Sequence, residues 1–293
     1  MKFDSYHPAI NLVFFVAVIA MTIGFTQPVF LGISYISAFA YSVKLNGKRG
    51  LVFDLCLVVF VAAWTWFFSA FNHFGITNIG RTIAGNQMTL ESVVFGFVIG
   101  VIIAAVLMWL SCMHAVVSSD KVVYLFGRVS PKLSLGLSIV LRMVPMIKRH
   151  AAKLDGAQKC IGRGSGQGNL LRRVRNALGR FSIMTTWTTE SMAQSSDSMR
   201  SRGYALRGRT AFSIYRFDNR DRSFVIFLFL CIFVVVMGAL LNQTTISYSP
   251  AILMNRITAT SYVFYVAYAA LCLSPLVLQT VGEVRFARLR AGA

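Results

Sequence analysis

Residues 92–117 read SVVFGFVIGVIIAAVLMWLSCMHAVV, and this stretch decides what kind of molecule the chain is. Its 26 residues include no Asp, Glu, Lys or Arg. As a helix rising 1.5 Å per residue it would be about 39 Å long, more than the roughly 30 Å hydrocarbon core of a bilayer. On either side lie further apolar runs at 9–25, 51–71, 223–241 and 262–281, and a shorter, marginal one at 28–43. With 56% apolar or aromatic residues and 13% charged ones, the 293-residue chain exceeds what a soluble domain needs. The expected fold is all-α, a polytopic membrane protein with about six membrane helices. The first run has only Lys2 as a basic lead and no small-x-small cleavage site, so it reads as a retained span.

Lys and Arg set the expected orientation, because short cytoplasmic loops carry them in excess. Lys44, Lys48 and Arg49 mark one inside loop, residues 118–222 a second, and Arg285, Arg288 and Arg290 an inside C-terminal tail. The loops left for the outer face, at 26–27, 72–90 and 242–259, hold only Arg81 and Arg256. Six spans with both termini inside satisfy every loop. Were 28–43 re-entrant instead, only the N-terminus would change sides. Three regions follow: a membrane domain of about four spans at 1–117, a cytoplasmic basic insert at 118–222, and a membrane hairpin with a basic tail at 223–293.

The insert holds 20 of the 29 Lys and Arg but 6 of the 10 Asp and Glu, so an acidic partner is expected. Three helical pieces are legible in it. Residues 133–150 place Leu133, Leu137, Val140, Leu141, Val144 and Ile147 at spacings of three and four, with Pro145 expected to kink or split the helix. A second piece runs on to Ile161, where Gly162 ends it. The third starts after Asn169, a fitting N-cap, and runs to Gly203, a fitting C′ residue. Leu170, Leu171, Val174, Leu178, Phe181, Met184 and Thr188 line one face of it, and Arg172, Arg173, Arg175, Asn176 and Arg180 the other.

Gly162-Arg163-Gly164 and Ser201-Arg202-Gly203 flank that third helix. An arginine between small residues can enter a pocket and pair bidentately with a carboxylate, since its neighbours do not block the approach. On spacing alone, the plainer reading is that both are ordinary solvated charges.

Autonomous chemistry finds little support in the sequence. There is no G-K-[ST] phosphate loop, and the glycine-rich 162–168 follows a helix and reads as a corner. Cys56, Cys112, Cys160, Cys231 and Cys272 form no C-x-x-C and read as buried apolar thiols. His7, His73, His114 and His150 form no ligand cluster, so no metal site is indicated. Asp54 reads as an interfacial partner of Lys48 and Arg49 rather than an ion relay. Glu190, within residues 185–191, is the nearest candidate for a catalytic base, but it lacks a nucleophile and an orienting group and reads as a helix-packing residue. Arg172-Arg173-x-Arg175 suits anionic membrane lipid, whereas aromatic interleaving for nucleic acid is thin, with only Phe181 and Trp187 nearby. A polybasic membrane scaffold binding anionic lipid, without a transport role, is the alternative reading.

Several short motifs carry a resemblance. They are His7-Pro8, Phe71-Asn72-His73-Phe74-Gly75-Ile76-Thr77, Thr89-Leu90-Glu91-Ser92, Arg142-Met143-Val144-Pro145, and Ala157-Gln158 leading into the first small-Arg-Gly tripeptide. To these is added Ser198-Met199-Arg200 leading into the second, followed by Tyr204. In these the chain resembles the transmembrane coupling (T) subunit of energy-coupling factor transporters, which take up vitamins or transition-metal ions. The resemblance implies a subunit that is not itself an enzyme. It further implies two cytoplasmic ABC ATPases, which hold the ATP and Mg and dock on Arg163 and Arg202. Gly162, Gly164, Ser201 and Gly203 would clear the approach. A separate small substrate-binding membrane subunit is implied too, with Leu171, Val174, Leu178, Phe181 and Met184 as the coupling-helix packing face. The family tripeptide is commonly Ala-Arg-Gly; here glycine and serine hold its first position. Arg200, Arg207 and Arg209 crowd the second tip.

Overall fold

The computed structural model describes residues 3–72, 75–81, 87–162, 164, 169–204, 215, 217–248 and 258–291. Among them the fold is all-α apart from one small β-ribbon. The chain divides into two compact units, Met1–Ser118 with Tyr215–Ala293, and Ser119–Ile214.

The first unit contains α1 (Pro8–Gly24), α2 (Pro28–Asn46), α3 (Lys48–Phe71) and α4 (Leu90–Val116). The β-ribbon of β1 (Asn78–Arg81) and β2 (Gln87–Thr89) lies between α3 and α4. In the second unit α5 (Ser119–Val129), α6 (Pro131–Cys160) and α7 (Leu170–Ser201) follow. The chain then returns to the first unit with α8 (Asn219–Leu240) and α9 (Ala259–Ala291).

Five helices, α2, α3, α4, α8 and α9, are long and apolar enough to cross a membrane. α1 has 17 residues, about 25 Å of helix, yet it runs the same course as α8. Phe3 and Tyr6, just before α1, pack on Phe224 near the start of α8, with ring centroids 5.9 and 5.2 Å apart. After α1, the amides of Thr26 and Gln27 donate to the Thr244 carbonyl beyond the end of α8, each at 3.2 Å.

The run at 28–43 reads as marginal because Ser34, Ser37 and Ser42 dilute its hydropathy. In the structure α2 is one continuous helix of 19 residues, not a re-entrant segment. It passes from the Thr244 level at Gln27 to Lys44, which pairs with Glu283 of α9 at 2.6 Å. Its serines are buried and bonded within the protein, so they carry no penalty against lipid.

Ser34 anchors the centre of this unit. Its hydroxyl lies 2.8 Å from that of Thr22 on α1 and accepts from the Trp109 indole of α4 at 3.0 Å, while Tyr268 of α9 reaches Thr22 at 3.3 Å. Four helices thus meet on one chain of hydroxyls. Where lipid supplies no hydrophobic drive between helices, such bonds and close packing hold the bundle together. Phe14, Phe15 and Tyr41 surround Trp109, all fully buried.

The loops sort onto two ends. Residues 26–27, 244–248 and the start of α4 meet at one, where Tyr248 donates to the Thr26 carbonyl at 2.8 Å and stacks near Phe95. The Lys44–Glu283 pair and the 3.3 Å bond from Asn46 to Ser111 occupy the other, and the short turn Phe3–Ser5 packs on α9.

The β-ribbon, absent from the sequence reading, explains the pairing of two motifs. Glu91, at the start of α4 and 5% exposed, accepts from the Thr77 amide at 3.3 Å and from its hydroxyl. Ser92 donates to the Asn72 carbonyl at 2.6 Å. Gly75 has φ +119°, and a Cβ there would lie 2.4 Å from Glu91 Oε2, so only glycine fits. Glu91→Ala is expected to speed amide exchange at Thr77 and Leu90, whose amide donates to the Thr77 carbonyl, by an order of magnitude or more while leaving the spans folded. Hydrogen-exchange mass spectrometry of the 75–92 segment checks this.

Two expectations are corrected here. Asp54 forms no ion pair with Lys48 or Arg49; it is fully buried and accepts from Ser42 at 3.1 Å, because its position on α3 faces α2 rather than the interface. Cys112, Cys231 and Cys272 are buried, but Cys56 and Cys160 are exposed, the former on the outward face of α3.

Candidate functional site: the α6–α7 unit

α6 begins at Ser130 and Pro131, a proline at the first helical turn where its missing N–H is no loss. α5, not foreseen as a separate helix, packs beside it, and Ser134 donates to the Val123 carbonyl at 3.3 Å. Pro145 does not split α6: one helix of 30 residues replaces the two expected pieces at 133–150 and up to Ile161. Neighbouring turns carry the helix across the single donor that proline lacks.

α7 has 32 residues and is about 48 Å long. Asn169 caps it as expected, its side chain accepting from the Leu170 amide at 2.8 Å. The two helices run antiparallel where they meet. Asp155 of α6 pairs with Arg180 of α7 at 2.8 Å, and His150 stacks on Trp187 with ring centroids 3.7 Å apart. An apolar groove of about 460 Å³ lies along this meeting, lined by Ile147, Leu154, Phe181, Met184, Thr188 and Met192 among others.

That meeting uses a different face of α7 from the one its apolar pattern marks. The less exposed positions are Asn176, Arg180, Met184, Trp187, Thr188, Ser191, Ser195 and Met199, a stripe spaced by three and four. Of the face expected to pack, only Met184 is half-buried, and Phe181 borders the groove while staying exposed. Leu171 is 86% exposed, Val174 60%, Leu178 64% and Phe181 72%. No residue of α7 is fully buried. Five large apolar side chains, counting Leu170, therefore face outward on a helix that also carries Arg172, Arg173 and Arg175.

Both helix tips put a glycine in the left-handed region, at different places in their small-Arg-Gly tripeptides. At the end of α7, Gly203 has φ +75°, its amide donates to the Arg200 carbonyl at 3.0 Å, and the Tyr204 amide donates to the Met199 carbonyl at 3.1 Å. This is a Schellman cap with glycine at C′, as the sequence predicts. Exposed Arg202 is the residue before that glycine, and Ser201 turns its hydroxyl to the Ser198 carbonyl at 2.9 Å. At the end of α6, Gly162 is the left-handed residue, φ +75°, with its amide on the Lys159 carbonyl at 3.1 Å. Arg163 follows its glycine and Arg202 precedes its own, a two-residue offset that the likeness of the tripeptides hides. Arg163, Arg207 and Arg209 lie outside the described residues; Gly164 is buried. Glu190, expected to pack between helices, is instead exposed and accepts from the Gln194 side-chain amide at 3.5 Å, because its position on α7 faces away from α6.

Gly203→Val is expected to remove the Schellman bond, because a β-branched residue in the left-handed region costs at least about 1–2 kcal/mol. Loss of slow exchange at the Tyr204 amide, with the amides near Trp187 unchanged, is the expected readout.

No protein-family model matches the chain. Over 110 residues, 36% of its length, the sequence is 28% identical to the energy-coupling factor transporter transmembrane protein EcfT of Lactococcus lactis subsp. cremoris. The matched region spans 40% of that relative's own length. The chain is an all-α, multi-pass membrane protein similar in part to a transmembrane protein of energy-coupling factor transporters.

Proposed function

We propose that this chain is the energy-coupling transmembrane subunit of an energy-coupling factor importer for a vitamin or transition-metal ion. One observation carries the reading: two helices of 30 and 32 residues each end on a left-handed glycine beside an arginine, and the longer leaves its apolar face uncovered. Arg163 and Arg202 dock two cytoplasmic ATPases, which bind and hydrolyse the ATP with its Mg. Gly162, Gly164, Ser201 and Gly203 clear the approach, and Arg200 adds charge at the second tip.

Leu171, Val174, Leu178 and Phe181 receive a small substrate-binding membrane subunit. Closing of the ATPase pair displaces the two tips, and stiff helices joined near Trp187 carry that motion to the apolar face. In this topology residues 118–222 and both termini are cytoplasmic. The chain supplies no catalytic group and holds no cofactor of its own.

The test is a photo-crosslinking residue placed at Leu171 or Leu178 in the full chain within its native membrane. A cross-link to a small hydrophobic membrane protein at both positions is expected, with none from exposed Glu190. Cross-links to lipid alone would favour the scaffold reading.

A further inference from the structure

The end of the membrane unit that carries Lys44 and Glu283 gathers cations from two helices far apart in sequence. α2 and α9 pack together, and the Lys44–Glu283 pair fixes their ends at one level. Gly47, with φ +58°, turns the chain at once from α2 into α3, so Lys48 and Arg49 begin α3 beside that pair. The helix dipole works against cations in a first turn, so the sequence accepts a local cost in placing them there. α9 continues past Glu283 and exposes Arg285, Arg288 and Arg290, the last over the Phe286 ring at 5.1 Å.

With Arg220 and Arg222 at the start of α8, eight cations among the described residues share this end with four carboxylates near the rim: Glu283, paired with Lys44; Asp4, on the short turn that packs on α9; and Asp218 and Asp221, which cap α8, Asp218 also pairing with Arg220. At the opposite end Arg81 is the one cation among the described residues. Directly beyond Lys48 and Arg49, α3 turns outward Leu51, Val52, Phe53, Leu55, Val58 and Val59, 40–69% exposed. On α9, Val281, Val284 and Phe286 border the arginines in the same way, 45–58% exposed. On each of the two helices the cations border exposed apolar side chains, at the rim of a face that only acyl chains or another membrane protein can cover.

We propose that this rim is a docking surface for anionic phospholipid, with phosphate headgroups on the cations at the ends of α3 and α9, Lys48 and Arg49 on one and Arg285 and Arg288 on the other, and the acyl chains along the exposed apolar face beside them. A water-soluble acidic partner would match the charge but leave the adjoining valines and phenylalanines unmatched. An apolar protein partner would match the valines but bury the cations unpaired. A lipid with an anionic head satisfies both. The proposal involves neither α6 nor α7 and stands apart from the coupling role.

The test uses the full chain in a neutral detergent, reading the unfolding midpoint on adding phosphatidylglycerol, phosphatidylcholine or inorganic phosphate, with native mass spectrometry of retained lipid. Phosphatidylglycerol is expected to raise the midpoint by several degrees more than phosphatidylcholine, and 0.5 M salt to remove most of the difference. Lys48→Gln with Arg49→Gln is expected to weaken retention of phosphatidylglycerol at least tenfold, at roughly fivefold per cation removed near an anionic headgroup. Lys44 is left intact to keep its ion pair. Equal shifts with both lipids, an equal shift with inorganic phosphate alone, or unchanged retention in the double variant would each overturn the proposal. If that variant does not fold, Arg285→Gln with Arg288→Gln, on the exposed end of α9, carries the same test.

Discussion

Reversing both tip arginines, Arg163→Glu with Arg202→Glu, is expected to abolish co-purification of the two ATPases while leaving the chain in the membrane at normal abundance. Arg202 is exposed at the C-cap of α7, and its side chain makes no hydrogen bond or ion pair among the described residues, so stability should change by less than about 1 kcal/mol. Binding, by contrast, loses a charge-assisted pair at each tip and gains a repulsive one, which is worth several kcal/mol at each interface. Single reversals are expected to retain partial association. Because Arg163 follows its glycine and Arg202 precedes its own, the two tips should not be equivalent, and the two single variants are expected to differ in residual binding. Pull-down with quantitative blotting measures this; undiminished ATPase with the double variant would defeat the docking assignment.

Trp109→Ala is expected to be the most destabilising single change in the membrane unit. The indole is fully buried, lies among Phe14, Phe15 and Tyr41, and donates to Ser34 at 3.0 Å. In water such a truncation costs about 3–5 kcal/mol through lost transfer energy and the cavity left behind. Between helices in lipid the transfer part is small, since acyl chains are as apolar as the core, so the packing part remains, roughly 2–4 kcal/mol. Trp109→Phe keeps most of the volume and loses the bond, about 1 kcal/mol. Unfolding midpoints in one detergent should fall in the order wild type, Trp109→Phe, Trp109→Ala. An alanine variant as stable as the phenylalanine one would show that packing around the indole carries little.

The membrane helices were legible because composition alone marks a segment that cannot remain in water, and residues 92–117 became α4 within two residues at either end. The caps of α7 were legible for a similarly local reason: Asn169 and Gly203 satisfy backbone groups within their own turns. What went unread depends on partners distant in sequence. Residues 28–43 looked marginal because a serine in a sequence gives no sign of whether it faces lipid or Thr22. Asp54 reads as a partner of its neighbours Lys48 and Arg49, yet it turns towards Ser42 across the α2–α3 turn.

α7 shows the limit most clearly. Periodicity identified its apolar face but not what covers it, and the structure turns another stripe, through Arg180 and Trp187, towards α6. A face that is apolar, regular and 60–86% exposed at Leu171, Val174, Leu178 and Phe181 makes sense as a surface kept for something outside the chain. The Glu91–Thr77 bond belongs to the same class, because two loop motifs 14 residues apart show their relation only once the β-ribbon brings them together.

Mild-detergent purification of this chain from its native membrane, followed by mass spectrometry of what accompanies it, tests the coupling role most directly. Two ABC ATPases and one or more small hydrophobic membrane proteins are expected in stoichiometric amounts. Recovery of the chain with lipid but neither ATPase, from membranes in which the ATPases are present, would contradict it.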